Sequence, residues 1–213
     1  YFSYGESFNP SAEYFSLSAA TEDLAPETAR TFELGAKLQF LNGALAVDSA
    51  LFQIEKTNAR ITDPDACGTG NTCLAGNVRV QGFEIGITGN ITDDWSIYSG
   101  YSFLHSEIVE GNANEEGKEL LNTPKNSAVV WSTYQGLPEV TLGAGAFYMG
   151  KRYANNTNTR DVESYVRMDA MLMYNIGEHI TLTVNGYNLN NADYADAVYQ
   201  GFYVPGAGRT VVV

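Results

Sequence analysis

Polar and apolar residues alternate with a period of two through most of this sequence. One face of the segment 163–176 carries Val166, Met168, Ala170, Leu172, Tyr174 and Ile176. Arg167, Asp169 and Asn175 fall on the opposite face. Alternation of this kind places one face of a β-strand in an apolar phase and the other face in a polar phase. The chain is therefore predicted to be all-β.

About ten strands are predicted, and most of them are long. They lie at 1–8, 28–41, 44–59, 78–91, 95–109, 124–136, 139–153, 163–176, 179–189 and 207–213. Many span about 11–16 residues, whereas strands of globular proteins typically have about 5–6. The segment 78–91 changes the phase of its alternation near Gly82, and we interpret this change as a β-bulge.

Short and long connections alternate strictly between these strands. Tight turns are predicted at Asn42-Gly43, at 92–94, at 137–139 and at Gly177-Glu178. Long polar connections cover about 9–27, 61–77, 110–124, 154–163 and 190–206. Outer-membrane barrels have short periplasmic turns and long extracellular loops, so the order favours a transmembrane β-barrel. The alternative is a soluble all-β protein whose aromatic residues fill a core.

The aromatic residues lie where a barrel would place them. Trp95 follows a short turn, whereas Tyr101, Phe103, Tyr148 and Tyr153 lie toward the long loops. Membrane barrels carry such aromatic girdles at both interfaces.

Composition excludes several other classes. The formal net charge is -13 and the sequence pI is about 4.4, so the chain lacks the basic surface that nucleic-acid binding requires. No stretch approaches the roughly 18 consecutive apolar residues of a membrane helix. The first residues do not resemble a signal peptide, so either the protein is cytosolic or its N-terminal region has been removed.

Cys67 and Cys73 lie close together in a segment rich in Gly, Thr and Asn. We interpret them as a disulfide that closes a small loop, which indicates an oxidising compartment. A metal site would need further ligands, and the only histidines of the sequence are His105 and His179. The two histidines fall in separate predicted strands, and we interpret both as interface or lumen residues, so we predict no catalytic residues, no metal site and no cofactor.

Several motifs resemble the C-terminal part of TonB-dependent outer-membrane receptors, and most of all receptors for ferric siderophores. The segment "LAPETARTFELGAKLQFLNGALAVDSALFQIEKTN" is similar to their "PE" pair, "E-x-G-x-K" strand and Asn-Gly turn. "VQGFEIG", "LLNTPKNSAVVW", "GYNLNNADYADA" and "FYVPGAGRTVVV" follow in the family's order. Each motif alone is weak, whereas their order and spacing are specific.

The resemblance implies that residues 1–213 are the C-terminal segment of a 22-stranded antiparallel barrel, with the plug domain and the first barrel strands outside this sequence. It implies active import of a ferric siderophore across the bacterial outer membrane, with TonB as the energy-coupling partner and membrane lipids around the barrel. The "ALFQIEKTN" strand and the cysteine loop look most like catecholate receptors. Such a protein is not an enzyme.

The resemblance assigns ligand capture to the surface loops. The candidate ligand-binding residues are Lys118, Arg152, Arg160, Tyr199 and Tyr203. The alternatives are a TonB-dependent importer of another ligand, such as cobalamin or a glycan, and a passive porin-like channel. An adhesin would fit the same strand pattern, whereas an outer-membrane lipase would need a serine, histidine and acid cluster that the sequence does not offer.

Overall fold

The computed structural model describes residues 1–9, 25–61, 64–69 and 73–213 and contains one large antiparallel sheet of ten strands. In chain order the strands are β1 (Phe2–Asn9), β2 (Glu27–Phe40), β3 (Leu45–Ile61), β4 (Cys73–Thr92), β5 (Trp95–Glu110), β6 (Asn126–Leu137), β7 (Val140–Met149), β8 (Arg152–Tyr153), β9 (Asp161–Val162), β10 (Tyr165–Ile176), β11 (Ile180–Tyr187), β12 (Ala195–Tyr199), β13 (Phe202–Pro205) and β14 (Thr210–Val212).

The large sheet follows the chain, in the order β1-β2-β3-β4-β5-β6-β7-β10-β11-β14. The predicted all-β class and the ten strands are confirmed. Two small hairpins, β8–β9 and β12–β13, stand apart within long connections. A 3-10 turn (Leu41–Gly43) and one helical turn, α1 (Pro64–Cys67), complete the structure. In the described ranges, no helix has the length and apolar character needed to cross a membrane.

The register of the strands keeps the alternating residues of neighbouring strands on common faces. Leu172 of β10 lies opposite Leu142 of β7 on one side and Val184 of β11 on the other. Asp169 and Thr183 belong to the opposite face, because side chains point alternately to the two sides of a strand. Every ladder of the large sheet is antiparallel, so the two faces stay distinct from β1 to β14.

The polar face is the concave one. One hollow of about 540 Å³ lies on this face. Its lining residues come from several strands, the first in the chain being Tyr1 and the last Arg167. Asp48 and Glu84 lie in the same hollow. The opposite, convex face exposes large apolar side chains, among them Leu172, which is 42% exposed. An apolar surface that follows a whole sheet marks contact with lipid or with another protein.

Tight turns and long connections lie at opposite ends of the sheet, as predicted. At the first tight turn Asn42 and Gly43 have φ values of 54° and 90°. These left-handed angles are open to asparagine and glycine at low cost, which explains the choice of residues. The other tight turns lie at 93–94, 138–139 and 177–179.

A row of charged side chains crosses the convex face near the end that carries the long connections. Strands β1 to β5 contribute Glu6, Arg30, Glu55, Arg79 and Glu107, which are aligned by the strand register and alternate in sign. Arg30 Nε lies 3.1 Å from Glu6 Oε1, and Arg79 Nη2 lies 2.6 Å from Glu107 Oε2. We call this set the charged row.

The position of the charged row matches a membrane boundary. Arg30 and Glu55 lie about ten residues from the tight turn that joins their strands, and Arg79 and Glu107 about twelve or thirteen from theirs. At about 3.3 Å per residue and a strand tilt of about 40°, the row lies roughly 25–33 Å above the turns. The apolar band of an outer-membrane barrel is about 25 Å tall, so the row falls just beyond it.

The charged row also corrects the interpretation of Gly82. The structure has no bulge there, since Phe52, Gly82 and Leu104 pair in unbroken register. Arg79, Gln81, Phe83 and Ile85 all point to the convex face. Arg79 and Gln81 precede Gly82 in the chain, and Phe83 and Ile85 follow it. The polarity of this face therefore changes because the strand leaves the apolar band.

Candidate functional site

The long connections at one end of the sheet bond to one another through asparagine side chains. Asn158 Oδ1 accepts a hydrogen bond from Glu119 N at 2.8 Å, and Asn158 Nδ2 donates to Glu119 O at 2.8 Å. Asn156 Oδ1 accepts from Leu121 N at 3.1 Å. The β5–β6 connection is thereby fastened to the β7–β10 connection.

Arg152 extends this network to the β11–β14 connection. Its Nη1 donates to Asn122 Oδ1 at 3.1 Å, and its Nη2 donates to Ala195 O at 2.6 Å. The side chain is only 4% exposed. A guanidinium carries five donors in a fixed planar arrangement, so one arginine bonds two connections at once.

Asn188 holds the base of the last connection. Its Nδ2 donates to Ala192 O and to Ala207 O, both at 2.9 Å, and its Oδ1 accepts from Ala192 N at 2.8 Å. The residue is 1% exposed and has a φ of 51°. Asparagine tolerates left-handed backbone angles, and its short amide reaches nearby backbone groups.

A chain of polar contacts connects this base to the concave face. Asn188 N donates to Asp169 Oδ1 at 2.8 Å, and Arg167 Nη2 donates to Asp169 Oδ2 at 3.0 Å. The Arg167 guanidinium lies 4.6 Å from the centre of the Phe147 ring. Because Arg167 also lines the concave hollow, the last connection and the hollow share one polar network.

The hairpin β12–β13 presents aromatic side chains at the surface. Tyr199 stacks on Phe202 with ring centres 4.9 Å apart. Tyr199, Phe202 and Tyr203 are all at least half exposed. The predicted long connection thus contains an ordered hairpin with an aromatic end.

The predicted ligand residues fall into two environments. Lys118, Arg160, Tyr199 and Tyr203 are exposed on the long connections. Arg152 is buried in the loop network instead, so its guanidinium serves the fold of the loops. None of the five residues lines the concave hollow.

Cys67 and Cys73 form a disulfide, with 5.4 Å between their Cα atoms. It joins the end of α1 to the start of β4, at the end of the sheet that carries the long connections. The remainder of the predicted cysteine loop, residues 70–72, lies outside the described residues, as do residues 10–24 of the first long connection.

A metal-binding cluster is not found in the described part of the chain. His105 lies on β5 and His179 in a tight turn, so the two imidazoles do not meet. No group of three or more His, Cys, Asp or Glu side chains there is arranged to hold a metal ion.

The pKa of Lys151, at the edge of the loop network, is raised. Partial desolvation alone would lower it, but the charge of Asp161 and a contact with Tyr153 outweigh that effect. The ammonium group is therefore protonated at neutral pH.

Sequence reasoning missed the residues that organise the loops, namely Asn122, Asn156, Asn158, Asp169 and Asn188. Four of them are asparagines in polar segments, and three of these have positive φ. The "NLNN" run and the "NNTNT" run are the signals that would have found part of the set.

Comparison with known proteins decides the family. A family model described as "TonB dependent receptor-like, beta-barrel" matches residues 1–189. The chain belongs to this family of TonB-dependent receptors. The predicted resemblance is confirmed, and family membership places the chain in the bacterial outer membrane as part of a receptor rather than an enzyme.

Individual relatives of this TonB-dependent receptor chain are siderophore receptors by name. A probable TonB-dependent siderophore receptor, PiuA of Acinetobacter baumannii, is 38% identical over 210 residues, which cover 92% of this chain and 28% of the relative. The catecholate siderophore receptor Fiu of Escherichia coli K12 is 32% identical over 204 residues, which cover 92% of this chain and 26% of the relative.

Solved structures of the same two receptors are also similar to this chain. The crystal structure of the PiuA receptor matches with a TM-score of 0.92 and 34% identity, over 99% of this chain and 32% of that one. The closed form of the Fiu receptor matches with a TM-score of 0.84 and 30% identity, over 99% of this chain and 31% of that one. The chain therefore spans less than a third of the length of these relatives.

Proposed function

We propose that the receptor containing this chain imports a ferric siderophore, of the catecholate type, across the outer membrane with energy supplied through TonB. The observation that carries the proposal is the match of 99% of the chain to receptors named for siderophores and ferric catecholates, at 30% identity or more. The plug, the TonB-contacting segment and the remaining barrel strands belong to the other part of the proposed receptor.

The loops of this chain have the chemistry that such a ligand requires. Ferric catecholate complexes are anionic and present aromatic rings at their surface. Lys118 and Arg160 offer exposed cations, and Tyr199 and Tyr203 offer exposed rings for stacking. We therefore retain these four as proposed ligand contacts and assign Arg152 the role of positioning the loops.

The overall charge opposes this assignment, because a chain with a net charge of -13 repels anions at long range. Screening reduces this repulsion beyond about 8 Å at physiological ionic strength, so local cations decide capture. Lys118 and Arg160 thus account for the proposed attraction within this part of the receptor.

Growth on a defined iron source tests the ligand class. The complete gene should support iron-limited growth of a receptor-deficient strain on the ferric complex of dihydroxybenzoate. The K118Q/R160Q variant should need a higher concentration of the complex, whereas K37Q, which removes a lysine from the concave face, should not. Growth supported by cobalamin or a glycan and not by the ferric complex would favour the other importer classes.

A further inference from the structure

The concave hollow crosses six strands, and its two ends differ in charge. The strand register aligns one residue from each strand in a single row, in the order Asp48, Gly86, Gly100, Val129, Phe147 and Arg167. All of them line the hollow. Glu84 lines it next to Asp48, in the neighbouring row of the sheet. Two carboxylates therefore lie at the β3–β4 end of the hollow, and a guanidinium lies at the β10 end.

The cationic end of the hollow is the one nearer the long connections. Arg167 lies about ten residues from the tight turn at 177–179, whereas Asp48 lies about five residues from Gly43 in the first tight turn. At about 3.3 Å per residue and a strand tilt of about 40°, Arg167 lies roughly 25 Å and Asp48 roughly 13 Å above the turns. A molecule that enters from the side of the long connections therefore reaches Arg167 before Asp48.

Arg167 keeps part of its guanidinium group available at this end. Its Nη2 donates to Asp169 Oδ2 at 3.0 Å, and the hydroxyl group of Tyr194 lies beside it. The Arg167 side chain is still 27% exposed, whereas that of Asp169 is 5% exposed. A guanidinium has five N–H donors, so these two partners leave donors for a further acceptor. The rings of Phe147 and Tyr165 line the hollow on either side of this group in the chain.

The last connection is joined to the cationic end through Tyr194. The Tyr194 ring packs 4.5 Å from the ring of Tyr165 and covers Gly206, where any side chain would collide with it. Gly206 N donates to Tyr194 O at 2.8 Å. Tyr194 and Gly206 thus close the base of the β12–β13 hairpin, which carries the proposed ligand contacts Tyr199 and Tyr203. The hairpin and the cationic end of the hollow are therefore continuous.

We infer that the cationic end of the hollow is an inner contact for the anionic, aromatic siderophore complex, with Arg167 as the charged contact and Phe147 and Tyr165 as the aromatic ones. The inference rests on the proposed function. Charge complementarity selects this occupant, because a guanidinium beside aromatic rings matches a ligand that carries both negative charge and rings.

The carboxylates around Arg167 tune this contact. Asp48 and Glu84 repel an anion from the lower end of the hollow, so the complex is held at the upper end. Asp169 competes with the ligand for the Arg167 guanidinium and moderates the affinity. Arg167 is thereby a residue that selects ligands by their charge.

The test measures equilibrium binding of the ferric complex of dihydroxybenzoate, labelled with radioactive iron, to the complete receptor in detergent. R167Q should bind the complex roughly 10- to 30-fold more weakly than the wild type, because it removes a charged hydrogen-bond donor. K37Q is the matched control, since Lys37 lies on the same face beside Asp48, at the far end of the row. It should bind as the wild type does.

A second variant, D169N, separates a ligand contact from a structural role of Arg167. Asparagine keeps an oxygen that can accept from Asn188 N, but it removes the charge that competes for the guanidinium. D169N should therefore bind the complex at least as tightly as the wild type. Wild-type affinity in R167Q would overturn the inference. Weakening in D169N comparable to that in R167Q would also overturn it, because Arg167 would then act only through the fold of the last connection.

The alternative occupant is an acidic side chain from another part of the receptor. In that case R167Q would lower the urea concentration at which the receptor unfolds and leave the affinity for the complex unchanged, which would overturn the inference. Failure of the proposed function gives a different result, because the wild type itself would then not bind the complex. A wild type that binds the complex, together with an R167Q variant that binds it equally well, would refute the inner contact alone.

Discussion

Single asparagines and one arginine hold the loops of this chain in place. Asn188 and Asn158 each adopt a left-handed backbone angle and bond to backbone groups of a connection through the side-chain amide. Arg152 joins two connections from a buried position. An unpaired backbone group inside such a network costs about 1–3 kcal/mol, so these side chains determine whether the loops are ordered.

Replacement of Asn188 by alanine should loosen the last connection. Asn188→Ala removes three hydrogen bonds that a buried side chain makes to backbone groups of Ala192 and Ala207. The free energy of unfolding of the complete receptor should fall by about 1–3 kcal/mol. Hydrogen exchange measured by mass spectrometry should increase across residues 190–208.

The matched control is Asn175→Ala. Asn175 accepts a single exposed hydrogen bond from Thr181 near the opposite end of the sheet. This variant should change the free energy of unfolding by less than about 1 kcal/mol. Unchanged exchange in Asn188→Ala would show that the amide does not hold the loop.

The two cysteines should be oxidised in the receptor isolated from cells. The disulfide Cys67–Cys73 fastens the start of β4 in a connection at the surface. Peptide mass spectrometry without reduction should recover the two cysteines joined. The joined form should be about 2 Da lighter than the reduced form, because a disulfide lacks the two thiol hydrogens. Recovery of two freely alkylated thiols would contradict the assignment.

At the scale of the strands, two faces in two different environments explain the alternating sequence. The convex face of β10 and β11 carries Leu172, Leu182 and Val184, whereas the concave face carries Asp169 and Thr183. A side chain on the convex face meets lipid until the strand reaches the headgroup region. Substitution by a charge should therefore be costly on one face and tolerated on the other.

Leu172→Arg should destabilise the complete receptor by about 2–4 kcal/mol, because it places a charge on the lipid face within the apolar band. Thr183→Arg, on the concave face of the next strand, should cost much less. Urea titration of the receptor folded into phospholipid vesicles measures both effects. Equal losses in the two variants would be incompatible with a lipid-facing convex surface.

The strands were predictable from the sequence because alternation is local. The ten strands and the alternation of tight and long connections follow from period two and from turn residues such as Asn42-Gly43. The hairpins β8–β9 and β12–β13 were missed, because strands of two to five residues carry too little periodicity. The phase change at Gly82 was misread, since one sequence pattern describes both a bulge and the upper edge of an apolar band.

The loop network was not predictable for a different reason. Its bonds join residues far apart in the chain, such as Arg152 with Ala195 and Glu119 with Asn158. An exposed ligand cation and a buried structural arginine look alike in a polar segment. The position of Arg152 among the loops was therefore visible only in three dimensions.

At the scale of the whole molecule, the sheet in the described residues is open. Strands β1 and β14 form its edges and do not pair with each other. Unpaired strand edges are costly in lipid, because each unsatisfied backbone group costs several kcal/mol. Together with the partial coverage of its relatives, this supports the proposal that further strands close the barrel.

The chain of 213 residues alone should not form a closed barrel. Expressed and refolded into vesicles, it should migrate identically on a gel with and without boiling and be degraded by added protease. The complete receptor should show a heat-dependent shift in mobility and resist the protease. A heat-dependent, protease-resistant form of the isolated chain would indicate a small barrel of ten strands.

Uptake of radioactive iron tests the central claim, which is TonB-dependent import of a ferric siderophore. The complete receptor is expressed in two strains that lack other siderophore receptors and differ only in the presence of TonB. Both receive the ferric complex of dihydroxybenzoate. We predict that iron accumulates in the strain with TonB and falls to the level of the receptor-free control in the strain without it. Equal accumulation in both strains would contradict energised import and indicate a passive channel.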